Sequence, residues 1–76
     1  MELKIGDKIA KYRKLKGYTQ EQLGELVGVS GQAVSKWERE LCYPDIFLLL
    51  DISNLIGVSI DEMLKQEDIG AKDNYN

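Results

Sequence analysis

Seventy-six residues make one small domain, and 43% hydrophobic with 30% charged residues is the composition of a folded globular protein. The chain has no histidine and one cysteine, Cys42, which removes the commonest general base and metal ligand, any internal disulfide and any thiolate cluster for zinc. Its net charge of −3 argues against a polyanionic partner, yet residues 1–39 carry eight basic and five acidic side chains while residues 40–76 carry two and eight.

The opening, Met1-Glu2-Leu3-Lys4, is charged and lacks the apolar core of a signal peptide. Ile5, Ile9, Tyr12 and Leu15 then recur at helical spacing and predict a first helix, ended at Gly17. Around them lie Lys4, Lys8, Lys11, Arg13, Lys14 and Lys16, a local basic field that acts over about a Debye length whatever the whole-chain charge. Thr19 and Gln22 form a capping box for a second, short helix with Leu23, Leu26 and Val27 on its buried side and Gly28 at its end. Ser30 caps a third, whose inward positions are Ala33, Val34 and Trp37.

Tyr43-Pro44 breaks the chain before Asp45, the cap of a fourth helix running to about Ile56. The longest apolar run, Ile46 to Leu50, is five residues, far below the roughly 20 that span a bilayer. Ser59 and Glu62 make a second capping box, for a last helix with Ile60, Met63 and Leu64. No segment alternates polar and apolar residues over a strand's length. The expected fold is therefore all-α, five short helices over residues 1–65, followed by a polar and flexible tail over 66–76. With no membrane segment and no site for a metal or cofactor, the expected location is cytoplasmic.

The informative stretch runs from Thr19 to Glu38. Gly28-Val29-Ser30 is too short a connection for anything but a sharp crossing of two helices. Gly24 is the small residue such a crossing needs, since a glycine within a helix otherwise costs about 1 kcal/mol relative to alanine. Leu23, Val29, Val34 and Trp37 would fill the wedge, which leaves Gly31, Gln32, Ser35 and Lys36 facing out. A ridge that is short, polar and uncharged to basic suits base edges in a major groove, which admits one α-helix.

At these residues the chain resembles the Cro/C1-type, or XRE-like, helix-turn-helix regulators of phage-repressor type. The carriers are Tyr18-Thr19-Gln20-Glu21-Gln22-Leu23, the run from Gly28 to Glu38, Tyr43-Pro44-Asp45 and the run from Gly57 to Leu64. The resemblance covers about Ile5 to Leu64. It implies a compact five-helix, phage-repressor-like DNA-binding domain that binds double-stranded DNA as a homodimer on a near-palindromic operator and controls transcription.

Position by position, the resemblance assigns base contacts to Ser30, Gly31, Gln32 and Lys36. Gln32 can pair with adenine N6 and N7, and Lys36 can donate to guanine O6 or N7. Gln20 matches a glutamine that contacts a phosphate and steadies the recognition helix. Ser35 and Arg39 are further expected phosphate contacts, and Lys4 and Lys8 can reach the backbone as well. Arg13 and Glu38 match a salt bridge between the first helix and the end of the third, so Arg13 is set aside as a DNA contact. Two departures stand out. Gly31 occupies a position that commonly has a long polar or basic side chain, and Glu40-Leu41-Cys42 replaces a short basic loop.

Trp37 is expected in the core, and Tyr12, Tyr18 and Tyr43 as packing residues. Phe47 falls on the side of the fourth helix away from Leu48, Leu49, Ile52, Leu55 and Ile56; with Met63 it is the expected dimer interface. Catalysis is not expected, because no nucleophile–base pair and no phosphate-cradling glycine loop occurs. The competing reading is an antitoxin-like or adaptor module that keeps this fold and binds a further protein partner through Phe47 or the acidic second half.

Overall fold

The computed structural model describes residues 4–65, so the tail expected over 66–76 lies outside the described residues. Within them the order is α1 (Ile5–Leu15), α2 (Gln20–Val27), α3 (Gly31–Glu38), α4 (Ile46–Ile56) and α5 (Ile60–Leu64). None of these helices is long and apolar enough to cross a membrane.

Four of the helix starts are fixed by local side-chain chemistry. Thr19 Oγ1 accepts from the Gln22 N–H at 3.0 Å while Gln22 Oε1 accepts from the Thr19 N–H at 2.8 Å, a complete capping box. Ser30, Asp45 and Ser59 accept from the N–H three residues on, at 3.2, 2.9 and 3.1 Å. Each such cap contributes about 1 kcal/mol. The expected box at Ser59 forms only in this half. Glu62 turns its carboxylate to the Tyr12 hydroxyl, at 3.2 Å, and faces Lys8 Nζ at 3.8 Å.

The fifth start is fixed from a distance. Lys4 places no side-chain cap on α1; instead the Gly6 N–H donates to Glu40 Oε2 at 3.0 Å. Glu40 adopts φ 64, a left-handed conformation that costs a side-chain-bearing residue roughly 1–2 kcal/mol. The expected acidic loop is thus an inward hook, and its carboxylate is spent on the start of α1.

One residue from each helix meets at the centre of the core: Ile9, Leu23, Val34, Ile52 and Met63, all at most 1% exposed. Met63 therefore cannot present itself to a second copy, contrary to the sequence expectation. Leu15 and Leu26 depart from expectation the other way, being 72% and 55% exposed. On α1 the buried line is Ile5, Ile9 and Arg13, and at about 100° per residue Leu15 lies about 200° around from Arg13. Leu26 sits on the flank of the line from Leu23 to Val27 for the same reason.

Lys8 is also withdrawn from the surface. Its Nζ donates to the backbone oxygens of Glu62 and Lys65 at 2.9 and 2.6 Å, a cation placed on the terminal carbonyls of α5 where the helix dipole favours it. It joins α1 to α5 and is not a phosphate contact.

Candidate nucleic-acid interface

The sharp crossing of α2 and α3 depends on Gly24. A Cβ there would lie 2.6 Å from the Val29 oxygen and 2.9 Å from the Ser30 oxygen, both backbone atoms that cannot swing aside. The close approach sets the rotation of α3. Val34 and Trp37 point inward at 0% and 3% exposure, while Ser30, Gln32 and Lys36 are exposed and Gly31 and Ser35 half-buried. Neither Gln32 nor Lys36 has a hydrogen-bond or ionic partner among the described residues, so their polar atoms are available to a ligand.

The same crossing brings the starts of α2 and α3 side by side. Gln20, Glu21, Ser30, Gly31, Gln32 and Ser35 line one shallow hollow. Each cap occupies the third N–H of its helix, which leaves the N–H groups of Gln20 and Glu21, and those of Gly31 and Gln32, without intrahelical acceptors. Such groups at a helix start are ready donors for an anion.

Beneath this face lies a buried ionic node. Arg13 Nε and Nη2 donate to the two oxygens of Glu38 at 2.6 and 3.0 Å, and Arg13 Nη1 donates to the Tyr18 oxygen at 2.8 Å. Gln20 Nε2 donates to Glu38 Oε1 at 2.9 Å. The Arg13 and Glu38 side chains are 9% and 8% exposed. The pair expected from the sequence is formed, and it carries more than two partners. Glu38 ties α1, α2 and α3 together and fixes the amide of Gln20, a residue that lines the hollow.

Arg39 folds its Nε onto Ser35, 3.2 Å from Oγ and 3.3 Å from the backbone oxygen, leaving its two terminal nitrogens without partners among the described residues. Of the six cations in the first helical stretch, Lys8 and Arg13 are buried, and Lys4, Lys11, Lys14 and Lys16 are exposed. Phe47 stands apart on α4, 75% exposed, beside Ile46 at 55% and Leu50 at 43%.

The residue that sequence reasoning missed is Glu21. Gly31 was conspicuous as an absent side chain, but the cause lies on α2: a Cβ at position 31 would meet Glu21 Cγ at 2.7 Å and Glu21 Cα at 3.1 Å. Nothing in the linear spacing of the two residues signals that contact.

A helix-turn-helix family model matches residues 9–63. The chain belongs to the helix-turn-helix family, in its Cro/C1-type, XRE-like branch. It is 37% identical over 61 residues to the prophage-derived transcriptional regulator YonR of Bacillus subtilis, a match covering 80% of this chain and 56% of that protein. Among solved structures, the c2 repressor of phage P22 in complex with a synthetic operator is similar at 37% identity and a TM-score of 0.78, covering 88% of this chain and all of that one. The biofilm regulator SinR in complex with DNA is similar at 39% identity and a TM-score of 0.74, covering 80% of this chain and 98% of that one. The expected all-α, phage-repressor-like fold is the fold found. The chain spans 56%, 33% and 55% of the length of three of the curated relatives it matches.

Proposed function

We propose that the protein is a sequence-specific, DNA-binding transcriptional regulator of the cytoplasm, reading double-stranded DNA with the exposed face of α3. One observation carries the reading: the crossing that buries Trp37 turns Gln32 and Lys36 outward, next to four helix-start N–H groups that suit phosphate. In this reading Ser30, Gly31, Gln32 and Lys36 meet base edges. Gln20, Ser35 and Arg39 hold phosphates, with Gln20 aligned by Glu38. The P22 c2 repressor in complex with a synthetic operator and SinR in complex with DNA support the same use of the same fold.

The protein acts without cofactor or catalysis, as a homodimer. Two α3 helices related by a dyad read half-sites about 34–36 Å apart on a near-palindromic operator. The outer face of α4, with Phe47 at its centre, supplies the apolar surface for pairing.

Selection of bound oligonucleotides from a random library tests this reading. The expected outcome is a near-palindromic motif, with binding that weakens steeply as salt rises. Gln32→Ala should cost about 1–3 kcal/mol and relax preference at one base position per half-site. Gln20→Ala should weaken all sequences alike. A library that yields no motif would favour the adaptor reading instead.

A further inference from the structure

We propose that Glu21 is a further specificity-determining residue, which stands in for the side chain that position 31 lacks and selects cytosine at one base pair of each half-site. The inference rests on the operator reading above.

Gly31 opens α3, where the side chain nearest the DNA would begin. A Cβ at that position would sit 2.7 Å from Glu21 Cγ, 3.1 Å from its Cα and 3.2 Å from its N. Rotation about χ1 moves Cγ away, but Cα and N belong to the backbone of α2 and keep position 31 crowded at 3.1 and 3.2 Å. Glu21 thus holds the space over the first turn of α3. It lines the hollow shared with Gln32 and Ser35 and also the adjoining one shared with Val29 and Ser30.

Its carboxylate shares its exposure with Glu25 one turn along α2, which lines the adjoining hollow too, but the atoms that crowd a Cβ at position 31 are those of Glu21. Glu38, Glu40 and Glu62 are all engaged internally, whereas Glu21 is exposed, with no hydrogen bond or ion pair among the described residues. A carboxylate can only accept. In the major groove cytosine offers the N4 amino donor with no acceptor on the same base; adenine sets the N7 acceptor beside its N6 donor, and guanine and thymine present acceptors. Cytosine is the base that a lone carboxylate favours.

The same negative charge repels phosphate, but repulsion acts on every sequence equally, while selection acts at one position. That difference defines the test. Libraries selected by the wild-type protein and by Glu21→Ala and Glu21→Gln variants are compared, with affinities on the selected sites. The wild type should prefer cytosine at one position by about five- to tenfold, the lower range for a single base contact. Glu21→Ala should abolish that preference, leave the other positions intact and raise affinity for random DNA. Glu21→Gln, with a donor and an acceptor, should move the preference to adenine. If both variants keep the wild-type motif and change only overall affinity, Glu21 is a repulsive charge and the inference is overturned while the operator reading stands. If the wild type itself enriches nothing, both fall together.

Discussion

Removing either partner of the Arg13–Glu38 pair should bring this domain close to unfolding, whereas removing both should not. Glu38 accepts three hydrogen bonds, at 2.6 and 3.0 Å from Arg13 and 2.9 Å from Gln20, and the two ionic side chains are under a tenth exposed. Breaking a buried pair of this kind strands a charge and costs about 3–5 kcal/mol, while replacing both partners with apolar groups is often near neutral. A 76-residue domain has only about 4–11 kcal/mol in hand. Glu38→Leu or Arg13→Met should therefore remove a large share of the stability, lowering Tm by at least about 12 °C. The double variant should be no worse than the worse single, with a coupling energy of at least about 2 kcal/mol. Urea unfolding followed by circular dichroism measures all four members of the cycle. Single costs below about 1 kcal/mol, or costs that add within about 0.5 kcal/mol, would refute the claim that a desolvated charge pair organises this region.

Three other substitutions probe separate features. Gly24→Ala gains helix propensity of about 1 kcal/mol but drives a methyl to 2.6 Å from the Val29 oxygen; a net loss of about 1–3 kcal/mol is expected from the urea midpoint. Glu40→Ala loses the bond to the Gly6 N–H and keeps the strain at φ 64, so it should cost about 1–2 kcal/mol. Glu40→Gly relieves that strain and should cost measurably less, an order that thermal melts of the two variants would check. Phe47→Glu should leave the melting temperature nearly unchanged, because the ring is 75% exposed, and should shift sedimentation toward monomer. An unchanged sedimentation profile would remove α4 from the proposed interface.

The helix starts were legible because their causes are local. Thr19, Ser30, Asp45 and Ser59 cap through atoms three residues away, and a spacing of three is visible in a linear chain. The inward Trp37 and outward Gln32 followed from the same period plus one constraint, the small residue at the crossing. What escaped was decided by distant neighbours. Lys8 looked like a cation free to reach a phosphate, but its Nζ donates to the carbonyls of Glu62 and Lys65, over fifty positions on. Met63 looked like surface because a five-residue helix has too few turns to show which side is covered. Leu15 and Leu26 were apolar at plausible spacing, yet they stay 72% and 55% exposed, Leu26 only bordering a hollow against α4. Glu40 was read by its charge alone; its backbone conformation, and the use of its carboxylate on α1, have no sequence signature.

Glu38 joins three helices through one carboxylate, which leaves the surface that would meet DNA little room to flex. In the proposed complex a stiff reading head would not follow a groove that is too wide or too narrow, and the duplex would have to do the bending. The energy of that deformation would depend on base composition between the two proposed half-sites. Preference would then extend to central base pairs that no side chain touches, and A·T-rich and G·C-rich spacers would bind unequally despite identical contacts.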